Sequence, residues 1–160
     1  MFIVLMGVTG SGKTTISRKL ARSLGWKYFD ADDFHSAANV GKMRSGVPLN
    51  DQDRTPWLES LQRLIQNSLA NNEPAILACS ALKQSYRDVL LVDERVKFVY
   101  LKGDYSLIKK RLTARSNHYM NPALLDSQFQ TLEEPEGVLK VDIQSSPDEI
   151  IDLIRTEFDI

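Results

Sequence analysis

The chain has 160 residues, enough for one domain with a substantial hydrophobic core and too few for two domains of ordinary size. Its 20 Lys and Arg nearly balance 21 Asp and Glu, which argues against nucleic acid or a membrane as partner and favours small molecules. The single cysteine, the lack of a signal-peptide pattern and the lack of a membrane-length apolar run predict a cytoplasmic protein.

The first predicted elements are a buried strand at residues 2–6 and an amphipathic helix at residues 14–24. Between them, Gly7, four further residues and then Gly12-Lys13-Thr14 give the complete spacing of a phosphate-binding loop. In such a loop the lysine reaches the β- and γ-phosphates, the threonine ligates Mg²⁺, and backbone N–H groups converge on phosphate oxygens. We therefore predict a nucleoside triphosphate site formed by Gly7, Thr9, Gly10, Ser11, Gly12, Lys13, Thr14 and Thr15.

A second strand at residues 26–29 delivers an acidic cluster, Asp30 to Asp33, at its carboxyl end. A short helix at 35–45 follows. A long amphipathic helix then begins near residue 51, with Asp51 or Asp53 as the expected N-cap and Trp57 in the core.

The remaining elements alternate strand and helix. We predict strands at 74–79, 97–101 and 137–143, and helices at 83–91, 105–115, 123–132 and after the cap at Ser146. The third strand should lie beside the first. This pattern predicts one α/β domain spanning 1–160, a mostly parallel five-stranded sheet with helices on both faces. Residues 31–56 and 114–124 are expected to project as a substrate cap and a lid.

The third strand ends in Cys79-Ser80 and not in the aspartate that holds Mg²⁺ in many loop NTPases. Asp30 is therefore the best candidate to hold the metal through water, and Asp32 the best candidate to accept the proton of an attacking hydroxyl. A solvated acidic turn is the alternative for Asp32 and more so for Asp33. Cys79 is expected to be a buried structural residue.

Basic residues recur on the segments that should face the ligand. Arg111 and Arg115 stand one helical turn apart and could clamp the transferring phosphate. Arg54 and Arg87 could grip a carboxylate or phosphate of the acceptor. The other candidates for substrate contacts are Lys83, His118 and His35. A surface or helix-capping role is the alternative for each of these residues.

Several segments together resemble the bacterial-type gluconokinases. The phosphate loop alone is generic, whereas residues 42–58, KMRSGVPLNDQDRTPWL, and 79–88, CSALKQSYRD, are specific to that family. The acidic segment 30–35 and the lid run from Arg115 to Met120 and on to Phe129 match in the same order, so the resemblance covers nearly the whole chain.

The resemblance implies a three-layer P-loop kinase fold, a homodimer, and ATP- and Mg²⁺-dependent phosphorylation of D-gluconate at its 6-hydroxyl. The layout is also similar to that of shikimate kinases, which by analogy makes Asp32 the base and Arg54 the carboxylate anchor. Two departures from the family pattern are Ser116-Asn117 in the lid and the extra Asp33. The second leaves open which carboxylate meets the acceptor.

Two other functions remain open at this stage. A kinase of the same architecture could act on another hydroxy acid, such as shikimate, or on a nucleoside monophosphate. A nucleotide-gated binding protein or GTPase-like switch is the alternative from a different class. Against the switch, the chain contains no guanine-reading Asn-Lys-x-Asp sequence, and the Asp30–Asp32 pair would have no role.

Overall fold

A computed structural model of the protein describes residues 1–115 and 122–160. A five-stranded parallel sheet has the strand order β2-β3-β1-β4-β5. Its strands are β1 (Phe2–Met6), β2 (Lys27–Asp30), β3 (Ala75–Ala78), β4 (Val96–Lys102) and β5 (Leu139–Asp142). The predicted placement of the third strand beside the first is confirmed. Because β1 is central, Val4 pairs with Leu77 on one side and Phe98 on the other.

Helices connect these strands. They are α1 (Lys13–Leu24), α2 (Ala37–Arg44), α3 (Asp51–Ala70), α4 (Gln84–Leu90), α5 (Tyr105–Ala114), α6 (Pro122–Thr131) and α7 (Pro147–Phe158). The α/β class and the order of elements agree with the sequence prediction, and the boundaries differ by a few residues.

Three local features differ from the expectations. The N-cap of α3 is Asn50, and the prediction of Asp51 or Asp53 was wrong; Asp53 instead completes a capping box by accepting the Asn50 N–H. The acidic segment forms a 3₁₀ turn, Ala31–Phe34, which we call the acidic turn. Helix α5 ends at Ala114, so Arg115 is its non-helical C-cap and is not on a helical face shared with Arg111.

The sheet separates two hydrophobic clusters. Alternate residues of β1 face opposite sides, so Phe2, Val4 and Met6 join one cluster while Ile3 and Leu5 join the other. Helices α3 and α4 cover the first cluster, and α1, α5, α6 and α7 contribute to the second. This three-layer arrangement buries β1 completely and fixes the position of the loop that follows it.

The segment predicted as a substrate cap contains the acidic turn, α2 and the start of α3. Two contacts fasten α2 to α3: the Asn39 side-chain amide donates to the Asp53 carbonyl at 2.8 Å, and the Lys42 ammonium pairs with the Asp53 carboxylate at 2.8 Å. Asp53 therefore both completes the capping box of its own helix and holds the neighbouring helix.

In the part of the chain that the structure describes, no helix combines the length and the apolarity that crossing a lipid bilayer requires.

The capping box of α7 gives a test of the fold away from the phosphate loop. Ser146 Oγ accepts the Glu149 N–H at 3.3 Å, and the Glu149 carboxylate accepts the Ser146 N–H at 2.7 Å. Ser146→Ala should therefore lower the free energy of unfolding by about 1 kcal/mol in urea denaturation followed by circular dichroism. Thr156→Ala, an exposed position on the same helix, is the control and should change it by less than about 0.5 kcal/mol. Equal stability of the two variants would contradict the assigned cap.

Candidate active site

The phosphate loop follows directly from the carboxyl end of β1. Gly7 has φ of 149°, and a Cβ there would lie 2.8 Å from Ser11 Oγ and 2.9 Å from the Leu101 carbonyl oxygen. Gly10 has φ of 77°, and a Cβ there would lie 2.8 Å from the Cγ atom of Leu112. Side chains are therefore excluded at both positions by backbone conformation and by space. Ser11, which is part of the loop, is buried.

Helix α1 begins immediately after Gly12, its N-cap. Gly12 has no side chain with which to cap the helix, and the first turn contains Lys13, Thr14 and Thr15 but no acidic residue. The free N–H groups and the positive end of the helix dipole therefore create a site for an anion. Thr14 and Thr15 are both exposed, so their hydroxyls are accessible to a bound phosphate or its metal ion.

Lys13 folds back over the loop. Its ammonium group donates to the carbonyl oxygens of Gly7 and Val8, each at 2.9 Å. Burial lowers the pKa of Lys13, while the negative charges of Asp32 and Asp30 act in the opposite direction. The loop lysine and the acidic turn, which the sequence assigned to one site, are thus electrostatically coupled.

A contact that the sequence did not predict joins the phosphate loop to α6. The Thr9 N–H donates to the side-chain oxygen of Gln128 at 2.6 Å, across 119 residues of sequence. Gln128 lies on the helix that follows the segment predicted as the lid. No local sequence pattern indicates such a pair, because an isolated glutamine on an amphipathic helix is an ordinary surface residue.

Asp30 organises the acidic turn. One carboxylate oxygen accepts the Asp32 N–H at 3.0 Å, and the other accepts the Tyr28 hydroxyl at 3.0 Å. Asp30 is thus the N-cap of the turn that carries Asp32. This structural role is compatible with the predicted one, since each carboxylate oxygen can accept more than one hydrogen bond.

Asp32 as a residue is exposed, so a substrate can reach it. Its carboxyl group is nevertheless partly desolvated, and that burial raises the pKa of Asp32; the nearby charge of Asp30 adds to the shift, while His35 and Lys13 oppose it. A raised pKa makes a carboxylate a better proton acceptor, which suits a general base. Asp33 is also exposed and follows Asp32 in the same turn.

The oxygen donors near the loop fit a magnesium ion that binds together with nucleotide phosphates. Residues 1–115 and 122–160 contain no cluster of three or more His, Cys, Asp or Glu side chains suited to a metal ion. Mg²⁺ in kinases does not need one, since phosphate oxygens and waters supply most of its ligands. The accessible Thr14 hydroxyl and the Asp30 carboxylate are hard oxygen donors of the type Mg²⁺ prefers.

His35, directly after the acidic turn, is half-buried and stacks on Trp57, with ring centroids 4.7 Å apart and planes 10° from parallel. The Trp57 indole N–H donates to the Ala31 carbonyl oxygen at 2.7 Å. Trp57 is buried, as the sequence predicted, but it also contacts the turn that carries Asp32. The helical spacing of α3 shows that this position faces inward and does not show what it meets there.

Arg54 lies one turn before Trp57 on α3. Its guanidinium donates to the Tyr86 hydroxyl at 3.2 Å, and that hydroxyl donates to Asp51 at 2.6 Å. The ammonium of Lys83 pairs with the same Asp51 carboxylate at 3.0 Å. The predicted residues Arg54 and Lys83 are therefore brought together through Tyr86, but Lys83 is already paired with a carboxylate. Tyr86 was not predicted, although its place within the 79–88 segment was a usable signal.

Arg87 is placed differently from the sequence prediction. It is buried, and its guanidinium donates to the carbonyl oxygens of Ala81, Leu82 and Glu133 at 2.8–3.1 Å and to the side-chain oxygen of Gln84. Burial lowers the pKa of Arg87. Because its N–H donors are bound within the protein, we interpret Arg87 as a structural residue that connects α4 to the chain after α6. This role replaces the predicted contact of Arg87 with the substrate.

The predicted lid cations are only partly described. Arg111 donates to the Ile143 carbonyl oxygen at 2.6 Å, which directs it to the loop after β5. Arg115 is exposed at the end of the described segment, and His118 lies outside the described residues. Cys79 is buried as expected, and burial raises the pKa of its thiol to about 12, so it is not a nucleophile at neutral pH.

Known proteins provide an independent comparison. The family model described as shikimate kinase matches residues 9–138. A probable gluconokinase of Mus musculus is 43% identical, with 92% of each chain covered. The thermosensitive gluconokinase of Escherichia coli is 45% identical over 88% of this chain and 78% of its own length.

A solved structure extends the comparison to three dimensions. The gluconokinase from Sinorhizobium meliloti is 39% identical and superposes with a TM-score of 0.84, covering 94% of this chain and 86% of that one. Similarity to these gluconokinases therefore extends along almost the whole sequence, which includes the phosphate loop and the acidic turn. The chain belongs to the gluconokinase family, among the P-loop kinases that share the shikimate kinase domain.

Proposed function

We propose that this protein transfers the γ-phosphoryl group of ATP to the 6-hydroxyl of D-gluconate, giving ADP and 6-phospho-D-gluconate. The observation that carries the proposal is the placement of the phosphate loop, with Lys13, and the acidic turn, with Asp32, after the carboxyl ends of two parallel strands of one sheet, β1 and β2. It joins an anion site to a proton acceptor that a substrate can reach. Membership of a family whose relatives are named gluconokinases supports gluconate as the acceptor.

The chemical step needs one proton acceptor and several cationic groups. The 6-oxygen attacks the γ-phosphorus, the new O–P bond forms, and the bond to the oxygen that bridges the β- and γ-phosphates breaks. Asp32 takes the hydroxyl proton, and its raised pKa favours that transfer. Lys13 and the loop N–H groups stabilise the charge on the phosphate oxygens, and the Lys13 ammonium has a third N–H besides the two that the carbonyl oxygens of Gly7 and Val8 accept.

Thr14 and, through water, Asp30 are the proposed holders of Mg²⁺, which would neutralise phosphate charge. Arg115 and Arg111 are proposed to stabilise the transferring group. A guanidinium has five N–H donors, so the bond from Arg111 to Ile143 leaves capacity for a phosphate. His118 is proposed as an acceptor contact from the lid.

The acceptor half of the site is proposed to lie between the acidic turn and the start of α3. His35 would hydrogen-bond a gluconate hydroxyl, and Arg54 would bind the carboxylate. Arg54 suits this role because, within residues 1–115 and 122–160, its guanidinium donates to a neutral hydroxyl, that of Tyr86, whereas Lys83 already has the carboxylate of Asp51. We also propose that the protein is a homodimer, on the basis of the family resemblance. The single unpaired cysteine supports a cytoplasmic location, because it fits a reducing compartment.

An acceptor panel tests the proposed function. Purified protein with ATP and Mg²⁺ should release ADP strongly with gluconate and weakly with shikimate or nucleoside monophosphates. Phosphorus NMR of the product should show a phosphate ester at the 6-position. The variant Lys13→Ala, assayed in parallel, should lose at least about 100-fold in rate and so exclude a contaminating kinase. Stimulation by another acceptor without stimulation by gluconate would reject the proposal.

Adjacent aspartates provide a matched pair for the proposed base. Asp32→Asn should lower kcat by about 100- to 10,000-fold, because the amide cannot accept the hydroxyl proton. Binding of ATP, measured by calorimetry, should change little. Asp33→Asn removes the same charge one residue away and should leave kcat within about threefold of the original. A large loss with Asp33→Asn and a normal rate with Asp32→Asn would exchange the two assignments.

Removal of the proposed carboxylate anchor should affect the acceptor selectively. Arg54→Ala should raise the KM for gluconate by about 10- to 100-fold, the range expected for a lost charged hydrogen bond, with the KM for ATP unchanged. Arg44→Ala, an exposed arginine at the end of α2 in the same cap, is the control and should leave both constants as they are. An unaltered KM for gluconate in Arg54→Ala would place the carboxylate elsewhere.

A further inference from the structure

Trp57 touches two separate parts of the acceptor half of the site. We propose that Trp57 is a positioning residue, which fixes the direction of the Asp32 side chain and the plane of the His35 ring for the acceptor. The inference rests on the proposed function, because it is that function which gives Asp32 and His35 their contacts with the acceptor.

The first contact holds a single peptide group at both of its ends. The peptide unit between Ala31 and Asp32 is one rigid plane, and its carbonyl oxygen and its N–H point from opposite edges of that plane. The carbonyl oxygen accepts from the Trp57 indole at 2.7 Å, and the N–H donates to Asp30 at 3.0 Å. Because this plane ends at the α-carbon of Asp32, the two bonds together fix the point from which the carboxylate side chain extends.

The second contact places the His35 ring. The imidazole and indole rings stack at 4.7 Å with an angle of 10° between their planes. His35 Nδ1 is buried and has no hydrogen-bond partner among the described residues. A hydrogen on that nitrogen would be left unpaired, which favours the tautomer with its hydrogen on Nε2. His35 would then act as a donor through Nε2, as a contact with a substrate hydroxyl requires.

The burial of His35 favours a neutral ring that can act as a donor. Burial lowers the pKa of His35, the positive charge of Arg54 lowers it further, and the negative charge of Asp32 opposes both effects. The ring is therefore neutral at neutral pH. Arg54 lies one turn before Trp57 on α3, so this short stretch of the helix positions a cation, the acidic turn and a hydrogen-bond donor.

The position of α3 is in turn fixed by the core. Trp57 is 7% exposed, and one and two turns further along the helix Leu61 and Ile65 are completely buried against the sheet. A rigid reference of this kind is needed because misplacement of a reacting group by about 1 Å can cost as much as 100-fold in rate. Trp57 thus connects the rigid core to a turn whose two aspartates, Asp32 and Asp33, are exposed.

Trp57→Phe tests the positioning role by keeping an aromatic face and removing the indole N–H. We expect kcat with gluconate to fall by about 10-fold and the KM for ATP to stay within about twofold. Trp57→Leu, which also loses the stack, should in addition raise the KM for gluconate. Trp26→Phe, at the other tryptophan of the chain, is the matched control and should leave all constants unchanged. A normal kcat in folded Trp57→Phe would overturn the proposal.

A spectroscopic measurement tests the stack independently of activity. The variant Trp26→Phe retains Trp57 as its single tryptophan, and a protonated imidazole in contact with an indole quenches its emission. Emission should therefore fall as pH is lowered, with a midpoint below the ordinary histidine value of 6.5. The addition of His35→Asn should abolish that titration.

The emission experiment has an alternative variant, and its outcome can be separated from that of the acceptor panel. If Trp26→Phe does not fold, the difference in emission between the original chain and His35→Asn across the same pH range reports the same contact. An unchanged titration after His35→Asn would overturn the stack and with it the proposal. Because this signal needs neither ATP nor gluconate, failure of the acceptor panel with an intact titration would reject the proposed function alone. An active enzyme without the titration would reject only the role of Trp57.

Discussion

The complete burial of β1 is the constraint on which the rest of the site depends. All five residues of the strand are shielded by neighbouring strands and by the two clusters, so its carboxyl end cannot shift without disturbing both faces of the sheet. The phosphate loop begins at that end, and a Cβ at Gly7 would collide with Leu101 of the neighbouring β4. An exposed anion site is thus attached to the least movable part of the molecule.

The two halves of the site are held by opposite layers. The phosphate half rests on α1, whose inward face belongs to one cluster, whereas the acceptor half rests on α3, which packs in the other. Asp30 lies at the end of β2, between these layers, and its hydrogen bond shapes the turn that carries Asp32. A small change in packing on either face would therefore alter the distance between donor and acceptor groups without changing any residue of the site.

Features that depend on local spacing could be predicted from the sequence, and those that depend on long-range pairing could not. The loop follows from the spacing of its glycines and lysine, and the alternation of strands and helices and the burial of Trp57 follow from hydrophobic periodicity. By contrast, charge alone does not show whether a cation is already paired, so Lys83 with Asp51 and the buried Arg87 looked equivalent to Arg54. The prediction of the α3 N-cap was wrong for a related reason. Asn50, Asp51 and Asp53 are all residue types that cap helices well, and backbone geometry selects among them.

The contacts of Lys13 bear on which anions the loop can hold. Its ammonium group has three N–H donors, and the carbonyl oxygens of Gly7 and Val8 accept two of them, so one donor is left for an anion while those two bonds stay in place. A small monovalent anion would gain that one ammonium contact, which compensates poorly for the loss of its own hydration. A polyphosphate chain supplies several oxygens at fixed spacing and also meets the start of α1. Because two of the three lysine donors are bound within the loop, the site favours anions that bring several oxygens over the small simple anions of a cell.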